Sequence, residues 1–381
     1  MKKIFWLAGE HSGDLHASFV MKQLNETEQL LEHYGVGGYR MAQQGLKQLF
    51  PFKQFNVMGF TEVIKHLSFF RDVEKKIAKW FDDNKPDLVV LVDYPGLNLR
   101  IAKIAHQKKI KVFYYISPQV WAWKKGRVKL LKKYCDKVAC ILPFEQEYLE
   151  KNGVDATYVG NPIIEEIHVE DSREEFAKKY DLDVDKIWIC FFPGSRELEV
   201  ERLLPEYLHA AKVFDDDDIQ YLFSLAPSVS RKEYMKIVSA SGLRNPFIIY
   251  DDNYNMMQHS YVSCVTSGTA TLEAGFLGNP FIIVYKTSPT TFFLGKTVVK
   301  LDYIGLPNLI MGKGIVPEFI QGDATGFNIY RALQEYVNQK DYYAKMKTQL
   351  DTLHEEVGEK RASVETANLI KEYLVETSIL S

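Results

Sequence analysis

What most constrains the fold of this chain is a recurrence of short, nearly continuous apolar runs, each closed by small or polar residues and followed by a helical pattern. In the first half these runs are Ile4–Ala8, Leu88–Asp93, Lys111–Ile116 and Val138–Leu142. Strands buried on both faces of a parallel sheet read this way, without polar alternation. Helical segments lie between them, among them Leu97–Gln107, which follows the Pro95-Gly96 turn. A second series comprises Ile187–Phe192, Gln220–Ala226, Phe247–Tyr250, Tyr261–Thr266 and Phe281–Tyr285. The pattern predicts an α/β chain of two doubly wound, Rossmann-like domains facing a central crevice. We place the first domain at residues 1–165, a charged linker at 166–186, the second domain at 187–340 and a helical tail at 341–381. The length of 381 residues suits two domains of about 100–200 residues each.

Composition excludes several classes. The chain is 46% hydrophobic and 25% charged, which is globular and neither disordered nor coiled coil. Its net charge of −3 carries no nucleic-acid signature. None of the four cysteines forms a C-x-x-C pair, and Cys190 and Cys264 sit in apolar runs as reduced core thiols would. A reducing cytosol fits this usage. The apolar stretch after Met1 ends at Ala8, too short for a signal-peptide core, and no run reaches the roughly 18 apolar residues of a membrane span. The reading is therefore a cytoplasmic protein that can still rest on a membrane.

In open α/β sheets, ligands bind beyond the carboxyl ends of the strands, so the loops there are where chemistry is expected. The first is Gly9-Glu10-His11-Ser12-Gly13-Asp14; its glycines permit close backbone approach, and Ser12 or Asp14 can cap the next helix. Its spacing is not G-x-G-x-x-G, which argues against a dinucleotide site. The second loop begins with Asp93, a carboxylate at the end of the most apolar strand, where desolvation raises basicity and suits a general base. A helix-capping aspartate is the competing explanation. The third, Ser117–Trp123, carries Trp121 and Trp123, which in a loop are either packed or serve as a sugar or acyl platform. A basic run follows, with Lys124, Lys125, Arg127, Lys129, Lys132 and Lys133. It is either a solvated helix face or a surface for anionic lipid.

In the second half, Pro193-Gly194-Ser195-Arg196 opens a helix and pairs an arginine with backbone N–H groups expected to be free, an anion site. Ser267-Gly268-Thr269 follows another strand, and Glu273 lies about one helical turn on, where a carboxylate can accept both hydroxyls of a ribose. Together the two loops argue for a nucleotide. Asp181-Leu182-Asp183 has a metal-binding form but precedes its strand, at the edge opposite the ligand side, and no H-x-x-x-H pair exists. No metal and no cofactor are expected. Finally, Phe60, Val63, Ile64, Leu67 and Phe70 form one helical stripe, readable as core or as a membrane or acyl surface.

The combination resembles the lipid-A-disaccharide synthases, glycosyltransferase family 19, of GT-B architecture. The resemblance rests on Ala8-Gly9-Glu10-x-Ser12-Gly13-Asp14, Val57-Met58-Gly59, Asp93-x-Pro95-x-x-Asn98 and Ser117-Pro118-x-Val120-Trp121-Ala122-Trp123. It continues through Leu142-Pro143-Phe144-Glu145, Pro193-Gly194-Ser195-Arg196, Ser267-Gly268-Thr269-Ala270-x-Leu272-Glu273 and Leu306-Pro307-Asn308-Leu309. It implies a metal-independent, inverting transfer from UDP-2,3-diacylglucosamine to 2,3-diacylglucosamine 1-phosphate (lipid X) in lipid A biosynthesis. Asp93 and Arg196 would be catalytic. Gly194, Ser195, Arg196, Ser267, Gly268, Thr269, Glu273 and Asn308 would bind the donor, and Glu10, Ser12, Gly13, Asp14, Trp121 and Trp123 would line the acceptor side. Phe60, Val63, Ile64, Leu67, Lys124, Lys125 and Arg127 would face anionic lipid at the inner face of the inner membrane of a Gram-negative bacterium. Nucleic acid is not an expected partner, and homodimer formation is left open. Two rivals remain: another UDP-sugar enzyme of this architecture, such as a UDP-N-acetylglucosamine 2-epimerase, and a non-catalytic lipid-binding protein.

Overall fold

The computed structural model describes residues 2–26, 30–56, 67–122, 124–288, 292 and 301–379. Two compact units divide the chain, one of residues 1–165 with 359–381 and the other of residues 166–358. In the first, seven strands form a wholly parallel sheet: β1 (Lys2–Ala8), β2 (Leu31–Val36), β3 (Leu46–Gln48), β4 (Leu88–Val92), β5 (Lys111–Tyr115), β6 (Lys137–Cys140) and β7 (Ala156–Tyr158). Their order is β3-β2-β1-β4-β5-β6-β7, so the winding reverses between β1 and β4. Alternate strand residues feed two cores. Phe5, Leu7, Val89 and Leu91 pack with Val73, Ile77 and Phe81 of helix Leu67–Asn84 and with Ile101 of helix Pro95–Gln107. On the other face, Trp6, Val90 and Val92 pack with Val20 and Leu24 of helix His11–Asn25 and with Ala367, Ile370 and Leu374 of helix Ala362–Ile379. Coverage of both faces is why these strands are continuously apolar.

The second unit holds a six-stranded parallel sheet: β8 (Ile187–Phe192), β9 (Ile219–Leu225), β10 (Phe247–Tyr250), β11 (Val262–Thr266), β12 (Phe281–Tyr285) and β13 (Glu318–Ile320). The order β10-β9-β8-β11-β12-β13 places its reversal between β8 and β11. All nine strands expected from sequence are present within two residues of their expected bounds, while β2, β3, β7 and β13 were not anticipated.

The domain bounds differ from the sequence reading at both joints. Residues 166–186, read as a linker, belong to the second unit and carry helix Arg173–Tyr180. Ser172 and Glu175 cap that helix reciprocally, and Phe176 is buried against Trp188. Only Phe176 and Ala177 are buried on it, so its apolar stripe is too short to register as periodic. The span 341–381, read as one tail, is divided: helix Lys340–Val357 packs in the second unit, whereas Ala362–Ile379 returns to the first.

Candidate functional site

The strand orders bring the expected loops together in pairs. In the first sheet Ala8 of β1 pairs with Val92 of β4, so loops 9–14 and 93–98 leave from neighbouring strand ends at the reversal point, where α/β sheets form ligand sites. Asp93 stands there with its pKa raised to about 6, first by burial and then by the nearby Glu10 carboxylate; the Tyr94 N–H and His16 oppose the rise. Asp93 and Tyr94 both adopt left-handed backbone conformations, with φ of +44° and +46°. The Tyr94 ring lies so close to Gly9 that a Cβ at that position would come within 2.6 Å of it, so any side chain there would displace the ring. Glu10 and Ser12 are exposed, and Gly13 is buried beneath them.

Asp14 has a different role from the one its position suggested. Its carboxylate is buried and accepts the N–H groups of Gly38 at 2.7 Å, Met41 at 3.1 Å and Arg40 at 3.2 Å. It caps helix Tyr39–Gln43, not its own helix, which begins at His11 behind Glu10. Trp121 is half-buried, donates its indole N–H to Glu145 at 2.9 Å and meets the Phe144 ring edge-on. Glu145 was not singled out as a site residue. It is buried, also accepts the amides of Ile141 and Leu142, and has its pKa raised to about 7, chiefly by burial. Its sequence signal is a position three residues into a proline-started helix, where a carboxylate closes a cap.

Lys124 and Lys125 are exposed and Arg127 is half-buried, at the start of a short turn leading into helix Val128–Tyr134, on which Lys129, Lys132 and Lys133 are also exposed. Phe60, Val63, Ile64 and Trp123, like the Leu67 side chain, lie outside the described residues. Phe70, the last residue of that stripe, is part of the core.

In the second sheet Phe192 of β8 pairs with Val265 of β11. Both following loops open into one cavity of about 310 Å³, whose walls include Gly194, Ser195, Arg196, Ser267, Gly268, Thr269 and Glu273. Thr266 Oγ1 donates to the Phe192 carbonyl at 2.8 Å, tying the two strand ends, and Ser267 Oγ donates to the Ile304 carbonyl at 3.2 Å. Glu273 is half-buried in the wall, its carboxylate accepts no hydrogen bond from a described residue, and its pKa is raised to about 7 by burial and by Glu166. In its ionised form this carboxylate is acceptor-only and can receive both hydroxyls of a diol.

The amides at the first of these loops are not free, contrary to expectation. Glu199 Oε2 accepts the N–H groups of Ser195 at 3.2 Å and Arg196 at 3.3 Å, and Glu199 Oε1 pairs with the Arg196 guanidinium at 3.1 Å. The same carboxylate fills the space a side chain at Gly194 would need, and Gly194 itself has a φ of +109°. A capping box at the helix Glu197–Phe214 explains this: the helix satisfies its own N-terminus with the third residue in.

Asn308 is not among the residues lining this cavity. It is fully buried and makes four hydrogen bonds: its amide donates to the Val316 carbonyl and to Glu318, and its oxygen accepts from Ile315 and Val316. With every donor and acceptor used, it organises the turn between helix Leu306–Met311 and β13. Asp181 is the left-handed cap of helix Arg173–Tyr180, and Asp183 accepts the Asp185 N–H at 3.0 Å. Among the described residues no three His, Cys, Asp or Glu side chains converge as metal ligands would, and no helix is long and apolar enough to cross a membrane.

Comparison with known proteins bears on both the fold and the chemistry. The family model for lipid-A-disaccharide synthetase matches residues 4–372. The lipid-A-disaccharide synthase of Geobacter metallireducens is 35% identical over 98% of this chain and 97% of its own. That of Myxococcus xanthus is 37% identical over 85% of each chain, and that of Coxiella burnetii 33% identical over 97% and 98%. Among solved structures, S. aureus MnaA in a co-structure with UDP superposes with a TM-score of 0.66 at 15% identity, over 98% of this chain and 97% of that one. UDP-GlcNAc 2-epimerase from Neisseria meningitidis, bound to UDP-GlcNAc, gives 0.64 at 13% identity over 99% and 100%. Those likenesses establish a GT-B-like fold with two parallel-sheet units and nothing further. Sequence decides between the readings that this fold allows: the chain belongs to the lipid-A-disaccharide synthase family, the glycosyltransferases of lipid A biosynthesis.

Proposed function

We propose that this chain transfers the sugar of UDP-2,3-diacylglucosamine to the 6-hydroxyl of 2,3-diacylglucosamine 1-phosphate, releasing UDP and forming the β-1,6-linked disaccharide 1-phosphate. The observation that carries the reading is the cavity at the β8/β11 reversal, where Arg196, the Gly268–Thr269 backbone and the Glu273 carboxylate line one space. Arg196 pairs with the diphosphate, the Ser267–Thr269 loop cradles it, and Glu273 accepts the ribose hydroxyls. The acceptor oxygen attacks the anomeric carbon as its proton passes to Asp93. The bond from that carbon to the β-phosphate oxygen breaks, its electron pair leaves with UDP, and configuration inverts. Arg196 offsets the charge that builds on the departing diphosphate. No metal is required.

Glu10 and Ser12 line the acceptor side in this reading with Asp14 as scaffold behind them, while Asn308 is scaffold within the donor-binding unit. The basic run from Lys124 holds the protein against anionic lipid at the cytoplasmic face of the membrane, where diacylated substrates reside. Mass spectrometry of the reaction between UDP-diacylglucosamine and the monosaccharide 1-phosphate is the test. A disaccharide 1-phosphate with release of UDP is expected. An epimerase would instead return a sugar nucleotide of unchanged mass.

A further inference from the structure

The turn that carries Asp93 is conformationally costly and tightly held. Consecutive left-handed residues bearing side chains are unfavourable, and such strain persists only where its surroundings over-determine it. A turn that merely joined β4 to its helix would be made more cheaply with glycine at 93 or 94. Here the strain is held by the Asp93 main chain itself. Its N–H donates to the Tyr115 carbonyl at 2.9 Å. Its carbonyl oxygen accepts two donors, Tyr114 Oη at 2.6 Å and Asn98 Nδ2 at 2.7 Å. Asn98 and Tyr114 are both wholly buried.

Asn98 Nδ2 also lies 3.1 Å from the Val92 carbonyl and 3.3 Å from the Leu7 carbonyl. One amide therefore gathers the carboxyl ends of β1 and β4 and the peptide of Asp93. A buried side chain that spends its donor on three carbonyls at the reversal point fixes the direction in which the Asp93 side chain leaves the backbone. Fixing a reacting group before substrate arrives is a direct source of rate.

We propose that Asn98 and Tyr114 are positioning residues for Asp93, clamping its carbonyl so that the carboxylate is aimed before the acceptor binds. The proposal rests on Asp93 being the general base. Neither residue touches substrate, so the clamp acts on turnover and not on donor binding.

A double-mutant cycle on the full chain tests it, with Tyr114→Phe, Asp93→Asn and the pair together. Tyr114→Phe removes one hydroxyl and leaves the ring in the core. It should lower kcat about tenfold and shift the acid limb of the kcat–pH profile, with UDP affinity and donor KM unchanged. In the Asp93→Asn background the same change should cost nothing further, because the group it aims is gone. Asn98→Ser, run through the same cycle, is the second arm, and near-ultraviolet circular dichroism reports folding of each variant. Equal losses of kcat in both backgrounds would mean a general structural role and overturn the proposal, as would wild-type kcat and pH profile in folded Tyr114→Phe. A crippled Asp93→Asn beside a normal Tyr114→Phe removes the clamp alone; an Asp93→Asn enzyme of normal kcat removes the base reading itself.

Discussion

Trp121 and Glu145 are joined by an indole N–H to carboxylate bond of 2.9 Å, which ties the loop after β5 to the helix that follows β6. Removing the carboxylate in Glu145→Ala leaves the indole and the Ile141 and Leu142 amides without their acceptor. Buried donors stripped of a partner cost about 1–3 kcal/mol. Thermal denaturation of this variant should show a midpoint lower by several degrees, and fluorescence of Trp121 should shift as its surroundings open.

Asp93→Asn removes the proposed base. General-base catalysis supplies about 10²–10⁴-fold, and kcat should fall by that order while UDP binding is retained. In the wild-type enzyme kcat should decline as pH falls through about 6, because the raised pKa means the carboxylate takes up its proton there. Steady-state kinetics across pH 5–8 with parallel UDP titration decides both points.

Arg196 can neutralise a diphosphate only by leaving or sharing Glu199. Its side chain is 81% exposed, and exposed pairs are worth about 0.2–1 kcal/mol, so Glu199→Gln should tighten UDP binding by up to about fivefold. Arg196→Ala should weaken UDP binding and lower kcat together. Calorimetric titration of UDP into both variants measures the opposite signs.

Glu273 has a folded pKa raised to about 7. A carboxyl raised in the folded state binds more protons there than when unfolded, so stability falls as pH rises from about 4.5 to 7. Glu273→Gln should therefore be more stable than wild type above pH 7, by roughly 1–3 kcal/mol, and equal to it below about pH 4.5. The same variant should bind UDP less tightly. Melting curves at pH 4.5 and 8 read the first effect.

Lys124, Lys125 and Arg127 changed together to Gln should reduce sedimentation with vesicles containing anionic lipid. Residual binding of the wild type should weaken with salt, as charges are screened over about 8–10 Å at physiological strength. Neutral vesicles should not distinguish the two proteins.

Periodicity exposed strands that are buried on both faces, and nine of them were legible for that reason. β2 was not, because Glu32 and His33 interrupt it; His33 is nonetheless buried, its ring nitrogen accepting the Trp6 indole N–H at 3.0 Å. β3, β7 and β13 have three residues each, too few for any period to show. At the site, strand-end position was enough to place Asp93 at the β1/β4 reversal and Arg196, with Glu273 one helical turn past the next strand end, on the wall of one cavity. It suggested that Asp14 caps its own helix, whereas that carboxylate is spent on the Gly38, Arg40 and Met41 amides; Asn308, implied by the resemblance alone, spends its amide on the Ile315–Val316 backbone and Glu318. It was silent on Glu199, because whether a helix N-terminus is open or already capped depends on a side-chain rotamer that spacing does not encode.

The return of helix Ala362–Ile379 to the first sheet has a consequence for biogenesis. The first unit is assembled from chain segments separated by the whole of the second, so during synthesis it cannot complete its core until those last residues leave the ribosome. The second unit, contiguous in sequence, meets no such delay and can fold as it emerges. Until then Trp6, Val90 and Val92 lack part of their cover on one face, and the nascent chain carries an apolar sheet surface open to chaperones or to aggregation.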